Sequence, residues 1–441
     1  MLISFRVKNF RSIVDATMDM SYAEGKAPNG YKEMETIPFL EAGTPKRERV
    51  VPCLALYGPN AGGKTNLIRA MWNFVFFLNL GASLAFDPNR LLNAGEATKN
   101  EVEFVCGERR YKYLAVYCRE QVFEESLAVD GKYLFRIKAG EKPDFGKIVS
   151  GIYNAARLEE ILSVECSEEF LGNPEQFRAN ELKEEEALRY GKKQRISFLA
   201  KIARNYPGLN ADIARAYDFL VNRIDVYRQN EFPSKYGIER LAKECTGENT
   251  LNMAFERIAK AVRTLDLGIK RMTLWKAAAP ENFYGGNGYN SKPAEDEYII
   301  HAIHEDENGR EIEFDFNEES TGTRAAFGLL GVLLAALEKG RTVVIDELDR
   351  SLHPFVFREL VRLFKDKRYN KKNAQLIFTA HNLDLLDSEI LRISEIGIVD
   401  KTLKGGTTLT RLSDFDGIRN VTNFRHQYLN GAFSGIPSPY L

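Results

Sequence analysis

The run Gly58-Pro59-Asn60-Ala61-Gly62-Gly63-Lys64-Thr65 has the residue types and spacing of a phosphate-binding loop, G-x-x-x-x-G-K-[ST]. It follows a short apolar run, Val50 to Tyr57, that reads as a buried strand. Asn66 to Leu80 follows it and reads as a helix, with Asn66 closing the set of loop residues. Glycines let the backbone wrap close to phosphates, with amides pointing inward at a helix N-terminus. Lys64 would neutralise the β- and γ-phosphates, and Thr65 would place a hydroxyl on Mg²⁺. ATP and Mg²⁺ are the expected ligands.

A second constellation is Thr342-Val343-Val344-Ile345-Asp346-Glu347, an apolar strand delivering two carboxylates at its C-terminal end. That is where open α/β sheets bind ligands. Asp346 suits a Mg²⁺ ligand, and Glu347 suits a base that polarises attacking water. A strand ending in Asp-Glu is common by itself, and it acquires meaning through the phosphate loop. By contrast His301 and His304, three apart on an expected strand, point to opposite faces and cannot chelate one metal well.

These residues need elements to carry them. The 441 residues have a net charge of −1, with 44% hydrophobic and 28% charged residues, which excludes bulk disorder and a strongly basic coat. Five scattered cysteines form no CxxC pair, so a reducing cytosol is expected. The N-terminal stretch lacks a signal-peptide pattern, and the longest apolar stretch, Phe327 to Leu337, is too short for a membrane span. A cytoplasmic chain with no membrane partner is the expectation. Strands are expected at Leu2 to Lys8, Glu101 to Cys106, Tyr111 to Val116 and in a pair around Asp130-Gly131. Residues 19–48 read as a loop or hairpin excursion, 150–265 as mostly helical and 277–296 as a flexible loop. Strands return at Tyr298 to Ile303 and Ile312 to Phe316. Helix 324–338, strand 342–346, helix 354–366 and strands 374–379 and 395–399 then alternate as in a parallel sheet. The fold class expected is α/β, a P-loop NTPase head with a mixed sheet and a helical insertion.

Spacing narrows the class. Lys64 and Asp346 are 282 residues apart, far more than in RecA-type or AAA+ cores, and this resembles the ABC-type heads of Rad50, SMC and RecF proteins. Glu318-Glu319-Ser320-Thr321-Gly322-Thr323 resembles their shortened signature motif, Asp349-Arg350-Ser351-Leu352-His353-Pro354 their D-loop, and Thr379-Ala380-His381-Asn382 their switch histidine. With Phe5 to Ser12 and Tyr428 to Pro437, these stretches resemble the prokaryotic ABC-type AAA_15 ATPases, which include RloA-like and AbiL-type abortive-infection proteins and have PARIS and OLD-family relatives. A Q-loop glutamine is not identifiable, Gln121 lacking the context.

The resemblance implies a split ATPase head, 1–137 with 296–441, around an insertion domain at 138–295. It implies ATP hydrolysis with Lys64, Glu347 and His381 as catalytic residues. Ser320 and Gly322 of one copy would complete the nucleotide site of another, with Asp349 across that interface, so a head-to-head homo-oligomer is implied. It also implies a switch that senses a trigger, such as a phage-derived protein, and controls a separately encoded effector, such as a Toprim or RloB-like nuclease. A DNA-repair or chromosome-maintenance head of RecF or Rad50 type is the alternative, and an ATP-stabilised assembly without turnover is a third. Asp414-Phe415-Asp416 mimics a metal pair but lacks an upstream strand bearing a catalytic glutamate, so nuclease chemistry is not expected there. The basic run Lys365 to Lys372 reads as a solvated turn. The charge balance leaves nucleic-acid binding open and favours a protein partner.

Overall fold

The computed structural model describes residues 1–22, 37–40, 47–146, 158, 196–228, 248–265, 268–277, 297–350, 353–415, 418 and 423–433. Alternating burial shapes the first two strands, β1 (Leu2–Phe10) and β2 (Ile13–Asp19), which pair antiparallel around Arg11 and Ser12. A hairpin of β3 (Ile37–Leu40) and β4 (Arg47–Val50) makes a separate two-stranded sheet. Every residue of β5 (Cys53–Tyr57) is buried, as a central parallel strand requires. It leads through the phosphate loop into α1 (Lys64–Leu80) and the single turn α2 (Ala82–Ala85).

A meander follows: β6 (Thr98–Cys106), β7 (Arg109–Tyr117), β8 (Val122–Val129) and β9 (Lys132–Lys138). Asp130 and Gly131 turn the last hairpin with φ of 50° and 75°, the positive pair that a two-residue turn needs. Then come α3 (Phe198–Asn205), capped by Ser197, α4 (Ala211–Asn222), capped by Asn210, and β10 (Ile224–Tyr227). Further along lie α5 (Glu248–Leu265), β11 (Arg271–Ala277), β12 (Glu297–Glu305), β13 (Glu311–Asp315) and α6 (Thr321–Lys339). The last elements are β14 (Thr342–Ile345), α7 (Pro354–Lys365), β15 (Gln375–Thr379), β16 (Ile396–Lys401), β17 (Thr407–Arg411) and α8 (Phe424–Leu429).

Twelve strands form one mixed sheet in the order β10-β14-β15-β5-β16-β17-β2-β1-β6-β7-β8-β9. From β10 to β16 neighbours run parallel; from β2 to β9 they run antiparallel. The halves meet where Thr407 of β17 pairs with Ile13 of β2. Gln375, fully buried at the start of β15, adds a second tie. Its side chain accepts from Leu2 N at 2.6 Å and donates to Leu2 O at 2.9 Å and Val51 O at 3.3 Å. Aromatic packing fills the core beside the antiparallel half, with Phe74 between Phe5 and Tyr113 and Phe77 stacked on Tyr117 at 4.3 Å.

The contacts divide the chain into two units. The larger comprises Met1–Arg228, Gly340–Leu348 and Arg358–Leu441; the smaller comprises Gln229–Lys339 and Asp349–Phe357. This differs from the boundaries expected at 137 and 296. Strand β10 is an edge strand of the large sheet, which brings α3 and α4 into the larger unit with it. Strand β12 pairs with β11, and Phe327 of α6 packs on Phe255 of α5, which places 297–339 in the smaller unit. That unit therefore holds a three-stranded antiparallel sheet as well as helices. The helical spacing at Ile161 and Leu162, the acidic run Glu181 to Glu186, most of the loop at 277–296, Asp416 and the stretch after Phe433 lie outside the described residues. Among the described residues α6 alone is long and apolar enough to cross a membrane, and 67% of its apolar window is buried. Its Phe327 also packs on Phe316, as in a core helix.

Gln375→Leu keeps the volume and removes both partners of the Leu2 backbone. It should lower stability to urea by about 1–3 kcal/mol, the usual cost of leaving buried polar groups unmatched; an unshifted unfolding midpoint would show that the tie is dispensable.

Candidate functional site

The phosphate loop joins β5 to α1 at the carboxyl edge of the parallel strands, on the larger unit. A cavity of about 780 Å³ opens there, lined by Pro59 to Asn66 together with Glu347 and His381. The loop's shape depends on two glycines. A Cβ on Gly58, where φ is 155°, would lie 2.1 Å from the Val399 carbonyl oxygen of β16; one on Gly63, where φ is 113°, would lie 2.1 Å from Thr407 Oγ1. Ala61 also takes a left-handed conformation, with φ of 61°. Gly63 caps α1, and no acidic residue occupies the helix's first turn, so its positive end faces the cavity uncompensated. Lys64 is 6% exposed, and its Nζ donates to Gly58 O at 2.7 Å and Pro59 O at 3.2 Å. Together these groups suit a polyanion.

The loop is buttressed from the antiparallel half. Thr407 Oγ1 donates to Gly62 O at 3.0 Å. Its one proton being committed there, Ser12 Oγ donates to Thr407 Oγ1 at 2.7 Å, and Asn66 Nδ2 donates to Ser12 Oγ at 2.7 Å. Asn66 thus faces Ser12 through its amide. Ser12 and Thr407 were not legible as site residues; Ser12 lies within the Phe5-to-Ser12 stretch, and nothing in the sequence around Thr407 marks it. Arg11 pairs with Asp87 at 2.6 Å and is not in the cavity lining.

Opposite the loop stands the acidic pair. Asp346 is 4% exposed, and its Oδ1 accepts from Thr379 Oγ1 at 2.7 Å. The Glu347 amide donates to the same Thr379 oxygen at 2.7 Å. Glu347 has φ of 54°, a left-handed conformation costing a non-glycine residue roughly 1–2 kcal/mol. Its carboxylate Oε1 lies 3.9 Å from His381 Nε2. Thr379 is the further residue of this site; the available signal was a hydroxyl ending an apolar strand beside the Asp-Glu strand. Thr65 and Asp346 are hard oxygen donors of the kind Mg²⁺ takes, usually with only one or two carboxylates. No cluster of three or more metal-ligating side chains occurs among the described residues.

Ser320, Gly322 and Asp349 belong to the smaller unit. Ser320 caps α6: its Oγ accepts from Thr323 N at 3.1 Å, and its carbonyl accepts from Arg324 N at 3.0 Å. Gly322 lies in the first turn of that helix. The two histidines point to different partners, His301 to Glu313 at 2.6 Å and His304 to Glu319 at 2.5 Å. Gln121 closes the β7–β8 turn through its carbonyl. In the basic run Lys365 pairs with buried Glu395 and Arg368 with Asp366, and Lys367 Nζ donates to Asn373 Oδ1 at 3.3 Å.

Residues 189–387 match the family described as AAA domain, putative AbiEii toxin, Type IV TA system. The match spans Ser320, the acidic pair and His381, and the phosphate loop lies upstream of it. This stretch, somewhat under half of the chain, is thus similar to an AAA domain. No curated protein matches it. Among solved structures, an SMC head bound to the C-terminal winged-helix domain of ScpA is 13% identical with a TM-score of 0.42, covering 93% of this chain and 96% of that one. The SMC head domain from Thermotoga maritima is 15% identical with a TM-score of 0.37, covering 93% and 98%. An Smc head with an extended coiled coil, bound to the C-terminal domain of ScpA from Pyrococcus furiosus, is 13% identical with a TM-score of 0.38, covering 93% and 95%. This likeness is remote, and the α/β P-loop class rests on the strand order and loop described above.

Gly63→Ala should lower unfolding stability by about 1–3 kcal/mol, because it adds both a clash and a strained φ. Gly95, which has open space around it, is the control: its alanine variant should unfold with the wild type.

Proposed function

We propose that this chain is an Mg²⁺-dependent ATPase switch that pairs through its heads to control a separate effector in anti-phage defence. The observation that carries the ATPase reading is one cavity lined by the phosphate loop, Glu347 and His381. The loop amides and Lys64 would bind the β- and γ-phosphates, Lys64 exchanging its bonds to the loop carbonyls for phosphate oxygens. Thr65 and Asp346 would hold Mg²⁺, which supplies charge neutralisation on the transferred phosphoryl oxygens. Glu347 would orient water and accept its proton, and His381 would stabilise charge developing beside it.

Pairing of heads rests on the resemblance of Ser320 and Gly322 to a signature motif. A serine hydroxyl at the N-terminus of the 19-residue α6 suits a phosphate presented by a second copy. Asp349 would lie across the same interface. The matched family's description as a putative toxin of a Type IV TA system supports the defence role. The sequence resemblance supports a Toprim or RloB-like nuclease as the effector, a phage-derived protein as the trigger and a cytoplasmic location.

Lys64→Ala should abolish ATP binding in a calorimetric titration, and unchanged affinity would overturn the phosphate-loop assignment. Glu347→Gln should retain ATP while hydrolysis falls about 10²–10⁴-fold, the range for loss of a general base. In size-exclusion chromatography with ATP, Glu347→Gln should shift to a larger species, and Ser320→Arg added to it should abolish the shift. A shift that survives Ser320→Arg would refute the shared site.

A further inference from the structure

Thr379, the last residue of β15, is fully buried and does not line the cavity. Its hydroxyl nevertheless makes two bonds to the acidic turn: it accepts the Glu347 amide and donates to Asp346 Oδ1, each at 2.7 Å. One proton and two lone pairs allow both bonds at once. Its carbonyl accepts the Leu348 amide at 3.1 Å. Three consecutive residues, Asp346 to Leu348, are thus held by this one threonine. The middle one, Glu347, is the residue with positive φ, so the amide bond opposes relaxation of the turn. The next amide in the chain, that of Ala380 just after β15, donates to Leu56 O at 3.2 Å, two residues before the phosphate loop begins, and His381 follows.

We propose that Thr379 is the positioning residue of the acidic pair. Its hydroxyl fixes the plane of the Asp346 carboxylate and the left-handed backbone of Glu347, and so sets both relative to the phosphate loop and His381. This rests on the ATPase reading above. A chain without the hydroxyl keeps the phosphate loop, and therefore nucleotide affinity. It loses the alignment of the metal-holding and water-orienting carboxylates.

The test compares Thr379→Val and Thr379→Ser in the full chain, with Thr379→Ala replacing the valine variant if that does not fold. Hydrogen–deuterium exchange of nucleotide-free protein reads the geometry: the segment 344–350 should exchange faster in the valine variant and as wild type in the serine variant. In steady-state turnover of Mg-ATP, kcat should fall about 10²-fold, as for misplaced catalytic groups, with KM within about threefold. The Mg²⁺ concentration for half-maximal rate should rise, and serine should restore all three. Wild-type exchange and kcat in the valine variant would overturn the assignment. So would a serine variant as impaired as valine, which would show that the methyl packing matters instead. A wild-type chain that neither binds nor hydrolyses Mg-ATP would overturn the ATPase reading and the assignment with it, even where the exchange result holds.

Discussion

The parallel register of β5 between β15 and β16 is the constraint on which the site depends. Leu56 stands beside Thr379 and Gly397, so β5 and β15 end within a residue of each other at one edge of the sheet, while β16 runs three residues further. With β14 in register beyond β15, the same edge carries Asp346 and Glu347. Backbone hydrogen bonds between completely buried strands cannot slip without stranding donors and acceptors. The distance from phosphate loop to acidic pair is therefore set by the ladder, not by the long stretch of chain that separates them in sequence. A one-residue shift would turn every side chain to the opposite face.

The loop is held from behind as firmly as it is framed in front. Gly58 presses on Val399 of β16, and Gly63 presses on Thr407 of β17. Neither approach tolerates a Cβ. The hydroxyl chain Asn66 to Ser12 to Thr407 to Gly62 then links the loop to the β1–β2 turn. The antiparallel half of the sheet thereby serves as a foundation for a site whose chemistry sits on the parallel half. Gln375 and the Thr407–Ile13 pairing join the halves at separate points. This accounts for a larger unit assembled from the N-terminal segment and the segments after residue 340.

Part of the backbone strain falls at the candidate site. Among the described residues few non-glycine positions have positive φ, and Ala61 and Glu347 are two of them. Both line the cavity. Such conformations persist only when neighbouring bonds over-determine them, as Thr379 does for Glu347. The smaller unit shows a contrasting economy. Its apolar helix α6 has a composition that would suit a bilayer, yet Phe327 packs against Phe255 and Phe316 and most of its apolar window is buried in protein.

Much of the fold and the site was legible in the sequence, for a local reason. Strands β1, β5, β6 to β9 and β12 to β16 follow from alternation or from short apolar runs, and the hairpin at Asp130-Gly131 from its turn chemistry. The phosphate loop and the Asp-Glu strand end are patterns of consecutive residues, so their types and spacing were enough. What eluded the sequence was non-local. Short β10 joins the large sheet because Ile224 pairs with Thr342, which moved a domain boundary that composition had placed elsewhere. Residues 297–339 go with the smaller unit because their strand and helix partners precede them in the chain. Ser12, Thr407, Gln375 and Thr379 are ordinary polar residues whose meaning lies in partners tens to hundreds of positions away. Spacing along a chain specifies which groups a loop or strand can present. Only the tertiary hydrogen-bond ladder decides which buried hydroxyl or amide ends up beneath them.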